Sequence, residues 1–144
     1  MRTIELHVQE QWNFCLCSVL QAIFKRYGLT LSQKEIAKNL TPAEMGFIHN
    51  DSKAKRLMEK NGFSYSSFGA YETPFNEPYE VLKEMFYNEG IIGINTHVYL
   101  LKDFKEPKLI LIDPKNKKEV KMFYQDLLRK MGHTGFFGLV KYMS

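Results

Sequence analysis

Five residues in this 144-residue chain have the types and order that nucleophilic chemistry needs: Gln9, Cys15, Cys17, His97 and Asp113. A thiol attacks a carbonyl carbon as its thiolate, so it needs either a depressed pKa or a base beside it. Both cysteines fall within the first turn or so of an expected helix. Unsatisfied backbone N–H groups and the helix dipole favour an anion there, which predicts a lowered thiol pKa. His97 opens the run HVYLL, and Asp113 closes LILID just before Pro114. If those runs are neighbouring strands, imidazole and carboxylate meet near one end of a sheet. The carboxylate then fixes the imidazole tautomer while the imidazole draws the proton from the thiol. Each residue also has a plainer reading: a cysteine packed in a core, a polar residue at a strand end, a turn-forming Asp before Pro. At about 100° per residue, both thiols lie roughly a right angle from the centre of the helix's apolar stripe, on opposite sides. The wheel therefore leaves the choice between Cys15 and Cys17 open. His7, His49 and His133 are weaker candidates, set in extended or turn-like sequence without a comparably placed carboxylate. The Cys-x-Cys pair lacks a second Cys or His pair at fixed spacing, so neither a metal site nor a cofactor is expected.

These side chains need elements to hold them. The opening RTIELHV alternates Ile4, Leu6 and Val8, which suits a short strand or an extended arm. From Asn13, a candidate N-cap, Leu16, Val19, Leu20, Ile23, Phe24 and Tyr27 fall on one helical face, and Gly28 supplies the stop. Ser32 and Glu35 form a capping box opening a helix through Leu40, and Thr41, Pro42 and Glu44 repeat the start signal. A helix over 52–60 buries Ala54, Leu57 and Met58, and FSYSSF (63–68) reads as a strand. Residues 74–78 form a turn into a helix carrying Val81, Leu82, Met85 and Phe86, stopped near Gly90. Three apolar runs follow at 91–94, 97–101 and 108–113, then a helix at about 122–131 and a strand at 135–142. Helices gather in the first half and strands in the second, without β-α-β alternation. The expected fold is α+β, an N-terminal helical lobe packed on a C-terminal antiparallel sheet.

Composition narrows the function. A chain that is 44% hydrophobic and 14% aromatic has material for one core, so residues 1–144 are expected to form a single domain. No apolar run approaches the roughly 20 residues needed to span a bilayer, and residues 1–15 carry no secretory pattern. Two cysteines this close in sequence cannot staple a fold, so a cytoplasmic free-thiol protein is expected. The net charge of +4 is spread over helix ends and turns, and no nucleic-acid-binding signature accompanies it.

The pattern resembles the papain-like double-glycine leader peptidases, which process bacteriocin precursors at the N-terminus of ABC exporters and also exist as stand-alone proteins. Gln9 lies six residues before Cys15, and CLCSVLQAIFKRYG ends in Tyr27-Gly28 at that family's distance from the cysteine. LTLSQKEIAKNL and SKAKRLMEKNGFSY match its next helices, and HVYLLKDFKEPKLILIDP matches its His strand, turn and Asp-Pro strand. The resemblance implies a papain-like fold, with Cys15 as nucleophile, His97 as general base and acid, Asp113 orienting His97, and Gln9 donating an N–H to the oxyanion. A competing frame pairs Gln11 with Cys17. Phe14 and Leu16 stand where that family usually has Asp and Gly, and FIHND replaces its Gly-rich turn.

The implied activity is thiol-dependent cleavage of a peptide or protein substrate, with a separate exporter as a possible partner. An acyltransferase using the same acyl-thioester, or a non-catalytic peptide-binding domain of the same fold, are the alternatives.

Overall fold

A computed structural model describes residues 5–40, 51–69 and 78–143. Helices α1 (Cys15–Arg26), α2 (Gln33–Leu40) and α3 (Asp51–Lys60) precede strand β1 (Phe63–Gly69) and helix α4 (Pro78–Tyr87). Then come β2 (Glu89–Ile94), β3 (His97–Lys105), β4 (Lys108–Ile112), β5 (Glu119–Phe123), α5 (Tyr124–Met131) and β6 (Phe136–Tyr142). The strands form one six-stranded sheet in the order β1-β6-β2-β3-β4-β5, with every neighbouring pair antiparallel.

Helix α1 carries Val19 and Ile23, whose branched Cβ atoms lower helix propensity by a few tenths of a kcal/mol each. Packing overrides that. Val19, Leu20, Ile23 and Phe24 are fully buried, and burying such side chains is worth about 1.5–3 kcal/mol each. The helix ends as expected, with Gly28 at φ +84°, a conformation that favours glycine. Its start differs. Asn13 is not the N-cap; Phe14 is, with no side-chain cap, and its carbonyl accepts the Ser18 N–H at 2.9 Å. The capping box of α2 is reciprocal: Ser32 Oγ accepts the Glu35 N–H at 3.1 Å, and Glu35 Oε1 accepts the Ser32 N–H at 3.3 Å.

The helices are not confined to one side of the sheet. Helices α1 to α3 share a core with Phe63, Tyr65, Ile91, Val98, Leu100, Ile112 and Val140. Helices α4 and α5 build a second core with Ile92, Leu101, Phe104, Leu109, Leu111, Phe137 and Leu139. Neighbours such as Ile91 and Ile92 thus point to opposite faces, as the period of two demands. Gly93 lets β2 and β6 approach: a Cβ there would fall 2.1 Å from the Phe136 ring.

Three further expectations shift. Residues 5–9 have no regular secondary structure and stay outside the sheet, so the short-strand alternative fails over the described part. Strand β2 begins at Glu89, before the expected stop at Gly90. Residues 119–123 form an edge strand rather than the start of the last helix. Val120 and Met122 alternate with exposed Glu119 and Lys121, and charge on an edge strand disguises it. The start signal at 41–44 and the turn before Pro78 lie outside the described residues, as does His49.

Glu89 is the deepest charge described. Its side chain is 1% exposed, and it accepts hydrogen bonds from the Arg26 guanidinium (2.8 Å to Oε2) and the Tyr27 hydroxyl (3.2 Å). Removing one partner strands the other charge in a low dielectric. Arg26→Met is therefore expected to lower unfolding free energy by about 3 kcal/mol. The added change Glu89→Leu should recover part of that loss, both read from urea denaturation. An unaffected midpoint in Arg26→Met would show that the pair does not hold the helix to the sheet.

Candidate active site

The connection between β2 and β3 contains only Asn95 and Thr96, with Ile94 paired to His97 across it. Asn95 takes φ +57°, which asparagine tolerates better than most residues. The tight hairpin fixes His97 at the first position of β3. On the next strand, Leu100 pairs with Ile112, so Asp113 emerges beside His97 at the same end of the sheet.

The imidazole and carboxylate meet there. His97 Nε2 lies 2.6 Å from Asp113 Oδ1. The same oxygen accepts the Lys115 backbone N–H at 2.9 Å, within a turn closed by the Asp113 N–H to the Lys118 carbonyl. An ionised carboxylate only accepts, so Nε2 carries the proton and donates it, leaving Nδ1 of the neutral ring free to accept another. The Tyr99 ring stands edge-on to the imidazole, with centroids 4.8 Å apart at 89°, and limits its tilt. Sequence reading passed over Tyr99, although its place two residues along the strand from His97 is the signal that would have found it.

Cys15 is the first residue of α1, which packs on β3. Its thiol lies within hydrogen-bonding reach of the Val98 backbone and within electrostatic reach of Asp113. The other thiol has different neighbours: Cys17 feels Cys15 and Glu10. Both cysteines are free and each is 1% exposed. The helix that carries them packs on both β3 and α2.

Burial also reverses the expected direction of the thiol pKa. Desolvation pushes Cys15 up to about 11, against backbone hydrogen bonds from Val98, Leu16 and Cys15 itself that pull it down. It pushes Cys17 up to about 12, with the neighbouring Cys15 adding to the rise. At both positions burial thus favours the neutral thiol over the thiolate.

Gln9 reaches the same end of the sheet through its backbone, donating its N–H to the Pro114 carbonyl at 2.9 Å. Its side chain is engaged elsewhere: Nε2 donates to the carbonyls of Gln11 (3.0 Å) and Trp12 (2.9 Å). Gln11 itself is exposed. The arm is held by a residue that sequence reading missed, the fully buried Gln33 of α2. Its Oε1 accepts the Glu10 N–H at 2.8 Å, and its Nε2 donates to the Val8 carbonyl at 3.1 Å and to Gln21 Oε1 at 3.0 Å. No local pattern announces such a role, because its partners lie up to 26 residues away. His7 sits in this arm and His133 in the turn after α5, neither hydrogen-bonded to a carboxylate among the described residues.

A cavity of about 350 Å³ lies beside Tyr99, lined by Ile94, Asn95, Val120, Met122 and Lys130. A larger one, about 870 Å³, lies at the far ends of β3, β4 and β5 among Lys105, Lys108, Leu109 and Phe123. Strand register puts it away from His97, so its size does not make it the reaction centre. Among the described residues, no group of three or more His, Cys, Asp or Glu is arranged to hold a metal ion. No helix among them is long and apolar enough to cross a membrane.

The arrangement of helix, arm and sheet has counterparts among solved structures. The peptidase domain of Streptococcus ComA, a bifunctional ABC transporter of a quorum-sensing pathway, superposes with a TM-score of 0.74. The two are 18% identical over 96% of this chain and 98% of that one. A double-glycine-motif protease from an AMS/PCAT transporter, solved with a leader peptide, gives 0.71 at 18% identity, over 97% and 92% of the two chains. The Streptococcus mutans ComA peptidase domain bound to a small-molecule inhibitor gives 0.62, again at 18% identity, over 94% and 98%. The chain has the papain-like peptidase fold. The resemblance to double-glycine peptidases thus holds in three dimensions, although no family model and no curated protein matches the sequence.

The buried thiols have a consequence for stability. An unfolded cysteine loses its proton near 9, whereas the folded ones hold theirs to about 11 and about 12. Between those values the native state binds more protons than the unfolded state, so stability falls as pH rises. Below about pH 9 the contribution is fully present. Urea midpoints are expected to decline from pH 9 to 11, with a shallower slope in Cys17→Val. An equal slope in that variant would place the alkaline loss elsewhere.

Proposed function

We propose that the chain is a cysteine peptidase of the papain type that removes a leader from a precursor peptide. The observation that carries this reading is the His97–Asp113 hydrogen bond at the sheet end, formed where the Cys15 thiol reaches the adjoining Val98 backbone. Likeness of fold to a double-glycine protease solved with its leader peptide supports the substrate class.

In this mechanism the raised thiol pKa sets the order of events. A thiol with a pKa of about 11 is neutral at rest, so proton transfer to His97 Nδ1 accompanies attack of Sγ on the scissile carbonyl. Asp113 holds the ring and stabilises the imidazolium that forms. The developing oxyanion is met by the backbone N–H of Cys15 and a side-chain N–H of Gln9. His97 then passes its proton to the leaving amine. Water, deprotonated by the same nitrogen, releases the acyl group from sulfur. Cys15 is favoured over Cys17 because Asp113 is its electrostatic neighbour, whereas Cys17 has Cys15 and Glu10. The reading includes a single domain, a cytoplasmic location and a separate exporter that would carry the trimmed product.

Peptides containing a Gly-Gly site, with products identified by mass, test this. Cys15→Ala is expected to abolish cleavage with its denaturation profile intact, whereas Cys17→Ala retains it. Asp113→Asn should slow cleavage on the order of 10²- to 10⁴-fold without eliminating it. Undiminished cleavage by Cys15→Ala would end the assignment.

A further inference from the structure

Two features of the resting site oppose the proposed reaction, and both involve the segment that leads into α1. The Gln9 amide has two N–H donors, and the Gln11 and Trp12 carbonyls take both. None is left for an oxyanion. Its Oε1 is buried and accepts no hydrogen bond, so this amide position is poorly satisfied as well as occupied. Cys15, three residues beyond Trp12, is almost inaccessible at 1% exposure. Trp12 itself is 64% exposed, and its indole makes no hydrogen bond or ring contact among the described residues. The Gln11 carbonyl also accepts the Phe14 N–H at 3.0 Å, so the turn that holds Gln9 runs directly into the helix bearing the thiol.

We propose that the Gln9–Phe14 segment is a latch that substrate releases. At rest, the Gln11 and Trp12 carbonyls hold the Gln9 amide. A peptide seating on the exposed Trp12 indole draws the turn aside, which frees that amide to face the oxyanion and uncovers Cys15. Trp12 is thereby a positioning residue that acts through Gln9. The inference rests on the peptidase reading above. It fits an aromatic surface that stays exposed beside a buried nucleophile, since indole supplies a large apolar contact area at small entropic cost.

Iodoacetamide separates the latch from oxyanion stabilisation, because alkylation is displacement at a saturated carbon and needs no oxyanion donor. Gln9→Ala removes both latch hydrogen bonds. It should raise the Cys15 alkylation rate roughly tenfold, leave Cys17 unchanged and lower peptide cleavage. An unchanged Cys15 rate overturns the latch, as does an equal rise at both thiols, which would report a loosened core.

The unaltered protein offers a second test, since Trp12 is the single tryptophan of the chain. A peptide aldehyde ending in Gly-Gly, captured by Cys15, should shift Trp12 emission; capture without a shift overturns the proposal. Trp12→Ala should lower kcat/KM for cleavage about tenfold, with alkylation in the absence of peptide unchanged and activity restored by Trp12→Phe. Cleavage surviving in Cys15→Ala would remove the peptidase reading and leave the alkylation result as a property of the loop. Unchanged alkylation in Gln9→Ala, with Cys15 essential, would remove only the latch.

Discussion

A hydrogen bond of 2.6 Å between His97 and Asp113 depends on two strand ends being held in register. The residues are sixteen positions apart, and what closes that distance is the pairing of β3 with β4, tied to β2 by a two-residue turn. A one-residue slip of either strand would turn its side chains to the opposite face and part the pair. The two cores enforce the register, since Val98, Leu100 and Ile112 are buried against α1 while Leu101, Leu109 and Leu111 are buried against α4 and α5. Covering both faces of the sheet thus bears directly on the His97–Asp113 geometry at its end.

The environment of the thiol is a contest between two effects acting on the same atom. Helix N-terminal N–H groups and the dipole favour the thiolate by 0.3–1 kcal/mol in exposed settings, up to about 2 in partly buried ones. Desolvation of a buried charge is larger, and in Cys15 it wins despite the backbone hydrogen bonds. In the proposed reaction, a buried neutral thiol is quiet toward small electrophiles. It becomes nucleophilic only when a bound peptide brings the acceptor carbon and His97 takes the proton. A resting ion pair would offer standing reactivity; a buried thiol couples reactivity to substrate.

Much of this was legible in the chain. The capping box of Ser32 and Glu35, the glycine stop at Gly28, and the apolar runs flanking His97 and Asp113 all depend on local signals, and local signals survive folding. The missed features depend on what lies across space. Strand β5 was hidden by edge charges that lower its apparent hydrophobicity. The plainer reading of each cysteine as core packing holds for both, but the wheel could not rank it, because it knows a helix's own stripe and not how many neighbours enclose it. Gln33 organises the arm through partners distant in sequence, and no spacing encodes that.

The other end of α1 completes the positional argument. A helix twelve residues long can slide along a sheet by part of a turn unless both its ends are fixed. At the N-terminal end, Ser18 Oγ donates to the His7 carbonyl, and the arm is tied onward by Gln9 to Pro114, next to Asp113. At the C-terminal end, Arg26 and Tyr27 reach Glu89 at the start of β2, and Tyr27 stacks on Tyr142 of β6 with centroids 4.6 Å apart. Strand β2 is the partner that presents β3, so the strand bearing Glu89 also sets the position of His97. Cys15 is therefore located against the imidazole strand from two directions: by the arm in front of it and by a buried ion pair three turns behind it. A buried charge pair adds little net stability compared with an apolar substitute, but it tolerates only one arrangement. In the proposed peptidase the first residue of α1 works with the first residue of β3, and that intolerance gives the pair its use.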